Sequence, residues 1–296
     1  MKKAIFLLSL ATTALLTGGC QSPDDDGKMQ LSLYPATIQV TLPPANKKDI
    51  PDKPDYQFMS NVLAEIIVAD GNIDTARFDI FKKDLIKVLQ TLDAHGPSCN
   101  PKSFETPADR MAYWYNARAF WAMYLAAKYN REMKSYYLSS LENAFYSIRF
   151  PVDGRIMTLR KIDDEIFNLG GYLSLIAAPG ALSGRAAIPE TAFQPQNFPA
   201  IIKSRFNDFI ADRRRFTIDV LNMEIFVPRI IWQFHKKIMD DYQALYPTPQ
   251  ATFLLALSSM TSEVARFRLK NAIGYKCVEA PARQTIMITG NNKQTF

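Results

Sequence analysis

A helix-rich α+β domain with a small antiparallel sheet is the fold class this sequence predicts, and three observations carry the prediction. Apolar residues recur at helical spacing through most of residues 56–129. One stretch, 107–129, is apolar on nearly every side, as expected of a central buried helix. Residues 216–227 alternate in polarity around a short polar break and read as a β-hairpin.

Taken in order, Met59, Val62, Leu63, Ile66 and Ile67 place a first helix over about Tyr56–Val68, broken by Asp70-Gly71-Asn72. Phe78, Phe81, Leu85, Val88, Leu89 and Leu92 mark a second, ended by Gly96-Pro97. Thr106-Pro107-Ala108-Asp109 is a helix start: Thr caps, Pro suits the first helical position, and Asp meets the positive end. The helix it opens, to about Tyr129, carries Met111, Tyr113, Trp114, Tyr115, Phe120 and Trp121. Residues 145–160 read as strand and turn around Pro151-Val152-Asp153-Gly154, followed by a short helix, Leu159 to Phe167. Gly170 to Gly184 is small and apolar, and Phe198 to Ala211 is helical. After the hairpin, Pro228 opens a helix with Ile230, Ile231, Phe234, Ile238 and Tyr242 on one face, and a last helix is expected over Thr252–Asn271. Leu31–Leu42 alternates and reads as a short strand; the tail from Gly290 is expected to be loose.

The N-terminus gives an address. Lys2 and Lys3, an apolar run from Ala4 to Leu16, and Thr17-Gly18-Gly19 before Cys20 resemble a bacterial lipoprotein signal peptide over residues 1–19. The apolar run is shorter than the roughly 20 residues of a membrane span. That resemblance implies cleavage before Cys20, acylation of its thiol, and attachment to a membrane through acyl chains. Lipoprotein signals usually place Leu three residues before the cysteine; here Thr17 stands there and Leu16 one step further back. Gln21 follows Cys20, where Asp would direct retention at the inner membrane, so the outer membrane, on its periplasmic face, is the expected location. Residues 20–54, with Asp24-Asp25-Asp26-Gly27, Pro43-Pro44, Pro51 and Pro54, read as the lipidated end and a flexible tether. Residues 55–246 form the main domain and 247–296 a helical extension with the tail.

Composition narrows the function classes. The formal charge of +6 falls to +4 once Lys2 and Lys3 leave with the leader, a mild excess. Arg213-Arg214-Arg215 is the densest basic run; it reads as a solvated turn before a strand, with lipid headgroups or an anionic polymer as the alternative contact. No aromatic–basic motif accompanies it, so nucleic acid is not an expected partner. His95 and His235 are the only histidines, which leaves no metal-ligand set; nothing implies a cofactor. With Cys20 acylated, Cys99 and Cys277 are left either to pair in an oxidising compartment or to stand as two buried thiols.

Several motifs resemble, in order, those of the bacterial domain-of-unknown-function family 547. Asp70-Gly71-Asn72-Ile73-Asp74 is similar to its D-G-x-V-D turn, Ala112-Tyr113-Trp114-Tyr115-Asn116-Ala117 to its A-F-W-x-N-A helix, and Gly154 through Asp163 to its G-x-x-x-S-L-x-x-I-E segment. The hairpin and Val227-Pro228-Arg229-Ile230-Ile231-Trp232 resemble its closing strands and helix, so the likeness covers roughly residues 60–240. The family then carries a His and two Cys, a plausible thiolate–imidazole pair. Here Ser174 stands at the His position and Pro179 at the first Cys, Gly184 falls near the second, and Arg118-Ala119-Phe120 replaces Y-N-A in the helix.

A rebuilt catalytic site would need Ser174 or Ser183 with a distant His235, and Ser183 lacks the G-x-S-x-G pattern. Asp163-Asp164-Glu165 and Asp240-Asp241 are sequence neighbours that diverge on a helix, and read as solvated faces. Asn116 lies among aromatics on the buried helix and needs partners, either a ligand or a neighbouring loop. Tyr113, Trp114, Asn116 and Ser174 are therefore the candidate ligand pocket. The expected function is a lipid-anchored envelope protein that binds a small ligand or another envelope protein, or scaffolds, without catalysis. The alternative is an envelope hydrolase or acyl transferase with a non-standard Ser/Cys–His site.

Overall fold

Two apolar cores, joined by one kinked helix, organise the structure, a computed structural model that describes residues 38–44, 50–51, 53–133, 145–247, 251–280 and 285–289. The leader, Cys20, most of the tether and the tail lie outside the described residues, as does Leu31 through Thr37 of the expected early strand.

The first core is built on α1 (Tyr56–Ile66), α2 (Thr75–Ala94) and α3 (Pro107–Met133). Between α1 and α2, Ile67–Val68 (β1) pairs antiparallel with Asn72–Asp74 (β2), so the helix expected to reach Val68 stops two residues earlier. The turn joining them holds Asp70 at φ 66° and Gly71 at φ 73°. A Cβ on Gly71 would sit 2.6 Å from the Ala187 Cβ, so glycine is required for space as well as for conformation. Asp74 then caps α2, accepting from the Ala76 and Arg77 N–H groups at 2.9 and 3.1 Å. The D-G-N-I-D signature is thus turn, strand and cap in five residues. Asp74→Ala is expected to lower stability by about 1 kcal/mol, read from the urea midpoint, as loss of an N-cap does.

Thr106 and Asp109 form a reciprocal cap on α3: the Thr106 N–H donates to the Asp109 carboxylate at 3.0 Å and the Asp109 N–H to Thr106 Oγ1 at 3.1 Å. From Met111 to Ala126, α3 is buried at every position. Trp121 stacks on Phe150 at 4.2 Å, and each such buried side chain contributes roughly 1.5–3 kcal/mol. Phe150–Val152 (β3) and Arg155–Met157 (β4) make the hairpin expected around Gly154.

Leu159–Ala177 (α4) runs ten residues past the expected end at Phe167. Gly171 absorbs a kink at φ 68°, where other residues are strained, and the helix resumes in a new direction. Leu159, Ile162 and Ile166 lie in the first core, and Leu175, Ile176 and Ala177 in the second. The second core adds Phe198–Ala211 (α5), the hairpin Thr217–Asp219 (β5) and Glu224–Val227 (β6), and four further helices: Arg229–Trp232 (α6), His235–Leu245 (α7), Phe253–Ser259 (α8) and Glu263–Asn271 (α9). The single helix expected after Pro228 is broken at Gln233–Phe234, and that over Thr252–Asn271 is broken at Met260–Ser262.

The fold is α+β and helix-rich, with three small sheets among the described residues. Two of them also contain a parallel partner from late in the chain. Lys276–Glu279 (β7) pairs with β6, and Ile288–Thr289 (β8) pairs with β2. Among residues 251–289, the described helices α8 and α9 pack in the second core, and Ile286 and Ile288 pack against the first. The expected tether needs correction. Val40 is 1 % exposed in the first core, and residues 38–40 hydrogen-bond Arg149, so the folded part begins by Ile38. Among the described residues, no helix is long and apolar enough to cross a membrane.

Candidate functional site: a buried arginine–aspartate cluster

Arg118 projects from the middle of α3 and is 0 % exposed. A guanidinium keeps its charge when buried, so it requires anionic and neutral acceptors around it. Asp163, on the first turns of α4, meets it: Arg118 Nε donates to Asp163 Oδ1 at 2.5 Å. Another Arg118 nitrogen donates to the Pro179 carbonyl and a third to the Tyr146 hydroxyl at 2.5 Å. Arg185, from the turn after α4, donates to Asp163 Oδ2 at 2.8 Å. Both guanidinium groups also lie against the Tyr146 ring, at 5.7 and 5.1 Å from its centroid.

The charges do not cancel within this set: two guanidinium groups share one carboxylate. Burial pushes the Asp163 pKa up, but Arg118 and Arg185 outweigh it, and the carboxyl titrates below its usual range. Arg185 Nη1 is buried with no hydrogen-bond partner. Gly180 lies where a Cβ would come within 2.8 Å of Arg118 Nη1 and of the Arg185 Cβ, so the 178–186 turn wraps closely over the ions.

Asn116, half a turn before Arg118, ties down the next loop. Its amide donates to the Phe193 carbonyl at 2.8 Å and accepts from the Phe193 N–H at 2.9 Å; it also donates to Ala112 O on its own helix. The Tyr115 hydroxyl donates to Ser174 O at 2.5 Å. Arg205 of α5 donates to Ala177 O and Ala187 O. Side chains of α3, with Arg205 of α5, therefore hold the 174–193 segment through polar contacts to the backbone of Ser174, Ala177, Pro179, Ala187 and Phe193.

The four residues expected to line a ligand pocket are placed inside this packing and do not form one. Tyr113 donates to Leu92 O, and burial followed by the nearby Asp153 carboxylate raises its pKa well above the usual value. Trp114 is buried edge-on to Tyr113. Asn116 is occupied as described, and Ser174 Oγ donates to Gly170 O at 2.9 Å. In each of these polar side chains the hydrogen bond goes to backbone, which leaves them holding structure rather than facing a ligand.

The remaining candidates are also separated. Ser183 Oγ accepts from Thr285 N–H at 3.0 Å, whereas His235 stacks on Trp232 and its Nδ1 lies 2.7 Å from Trp232 O in the second core. Cys99 and Cys277 are two free thiols. Cys99 is exposed beside Gly154 and Asp93 at the edge of the first core, where partial cover and then the Asp153 carboxylate push its pKa up. Cys277 is on β7 opposite Ile225, where burial raises it to about 11. The two are therefore separate free thiols, Cys277 packed against the second core and Cys99 exposed and not buried as expected.

Two runs differ from their expected solvated faces. Asp163 is buried while Asp164 is exposed, and Arg215 is buried against Asp212 at 2.8 Å while Arg213 and Arg214 are exposed. Among the described residues, no three of His, Cys, Asp and Glu converge as a metal site.

Fold and site together define a helix-rich α+β domain with a sealed ionic cluster between its central helix and the turn that follows α4. No family model, curated protein or solved structure matches the chain. Three separate segments of the sequence converge at this cluster: Asn116 on α3, Asp163 on α4, and the stretch carrying Ser174 and Pro179.

Proposed function

We propose that this chain is a lipid-anchored cell-envelope protein, held to the outer membrane through Cys20, whose folded domain binds or scaffolds and does not catalyse. The observation that carries the second half of this reading is the separate engagement of Ser174, Ser183 and His235 by structural partners. A hydrolase or acyl transferase needs a nucleophile and a base within hydrogen-bond reach of each other. The likeness to family 547 supports the same reading, since the His and Cys of its central stretch are replaced by Ser174 and Pro179.

Two measurements test it. Labelled palmitate is expected to enter the wild-type chain and not Cys20→Ala; equal labelling of both would remove the anchor. Serine- and thiol-directed covalent probes are expected to leave Ser174 and Ser183 unmodified in the folded protein. Rapid labelling of either serine that disappears in His235→Ala would restore the enzyme reading.

A further inference from the structure

The β5–β6 hairpin ends in Val220-Leu221-Asn222-Met223, and its apolar side chains face solvent: Val220 is 67 %, Leu221 95 % and Met223 53 % exposed. A hairpin tip in water favours glycine and polar residues. This one places Met223 in the left-handed region at φ 51°, where a long side chain carries strain. The tip is nonetheless well defined, because the Asp219 carboxylate accepts from both the backbone and side-chain N–H groups of Asn222 at 3.0 and 2.8 Å.

The surroundings are basic. The start of β7 lies against the hairpin tip, with Lys276 N–H donating to Met223 O at 2.9 Å. A surface depression bounded by Arg213, Ile218, Val220, Arg268 and Tyr275 joins the hairpin to α9. Phe267 and Val264 of α9 are also exposed, at 67 % and 69 %. Residues 212–224 and 263–276 together contain seven Arg or Lys against four Asp or Glu. Asp212 is committed to Arg214 and Arg215, and Glu224 to Lys276. Arg213 and Lys270 are exposed and form no ion pair with the described residues. The Arg268 pKa is lowered, first by burial and then by Arg213.

We infer that this end of the domain docks on an anionic phospholipid bilayer, with Leu221 and its neighbours entering the acyl boundary and Arg213 and Lys270 meeting headgroup phosphates. An apolar wedge flanked by cations matches the layering of a bilayer surface, whereas neither a free phosphate nor a soluble polyanion would cover the wedge. Seventeen residues lie between Cys20 and Ile38, a stretch of about 60 Å at full extension. The inference deepens the anchor reading: acyl chains hold the protein at the membrane, and the hairpin sets its orientation there.

The test uses the full chain bearing Leu221→Trp, reconstituted with phosphatidylethanolamine–phosphatidylglycerol vesicles with and without bromine on the acyl chains. Emission from the introduced indole is expected to be quenched by brominated lipid, with wild-type emission subtracted. Arg213→Gln and Lys270→Gln are each expected to lower the ratio of inserted to free tip about fivefold, as for loss of one basic residue near an anionic surface. Equal emission in brominated and plain vesicles, with full access to acrylamide, would overturn the inference. So would concentration-dependent protection of the indole without vesicles, which would identify a second copy of the chain as the occupant. The readout is local to the hairpin. Quenching with no palmitate on Cys20 removes the anchor and leaves the docking face; palmitate without quenching does the reverse.

Discussion

Asp163→Ala is expected to destabilise the domain by about 3–5 kcal/mol, the cost of breaking a buried ion cluster by removing one partner. That is a large share of the roughly 5–15 kcal/mol that holds a typical domain folded. The reason lies in the stoichiometry of the site. Arg118 and Arg185 share one carboxylate, and its removal leaves two buried cations facing the Tyr146 ring and each other. Asp164→Ala, one residue on, is the control: its carboxylate is exposed and pairs with Lys161 at 3.4 Å, a surface contact worth less than about 1 kcal/mol. Urea unfolding of the two variants measures the difference. Equal midpoints would show that the cluster adds nothing to stability.

The same residue sets a pH dependence. The folded Asp163 carboxyl titrates below its ordinary value, because two guanidinium groups outweigh the effect of burial. Its contribution is therefore complete above the unfolded carboxylate pKa of about 3.9 and is lost as pH falls through the lower folded value. Asp163→Asn should have lower stability at neutral pH, and its melting temperature should fall less steeply than that of wild type below about pH 4. Parallel curves for the two proteins would assign the acid transition to other carboxyls.

Asn116→Ala is expected to cost roughly 2–4 kcal/mol, because it strips partners from both the N–H and the C=O of Phe193 in a buried loop. The damage should be local first. Amide hydrogen exchange should rise at Ala192 and Phe193 while α3 itself stays protected, since the Asn116 side chain donates one hydrogen bond within its own helix, to Ala112 O. Loss of stability without a change in exchange at this loop would mean that the amide acts through packing instead.

These two residues also show where sequence reasoning reached and where it stopped. Asn116 stands out as an amide among aromatics, so its need for partners is legible even though the partner loop, 77 residues on, is not. Arg118 carries an equally strong signal: a permanent charge on a helix apolar all round must be buried and must find a counter-charge. Compared with the motif it reads only as a departure from Y-N-A, and that comparison hides the physics. Asp163 was masked by Asp164 and Glu165, which give the trio the look of a wet face although 163 shares the buried side of α4 with Leu159, Ile162 and Ile166. Local signals served the helices well. Thr106-Pro107 starts α3, and the 216–227 alternation gives β5 and β6. The helix expected to end at Phe167 instead bends at Gly171, because glycine supplies the left-handed residue that lets one helix serve two cores. The parallel pairings of β7 and β8 leave no local trace, since neither is joined to its partner by a turn.

Those late strands bear on how the molecule comes to be folded. Ile288 must find Ile73, and Cys277 must find Ile225, before either sheet has its third strand. The first of these closures spans nearly the whole folded region, so its loop entropy is met only after most of the chain is present. A nascent chain emerging from its N-terminus can form α1, α2 and α3 but cannot lock them against β8. The sequence order thus builds in a delay, with the last strands acting as a clasp. Until that clasp closes, the two cores lack the strands that tie the late chain to its early part.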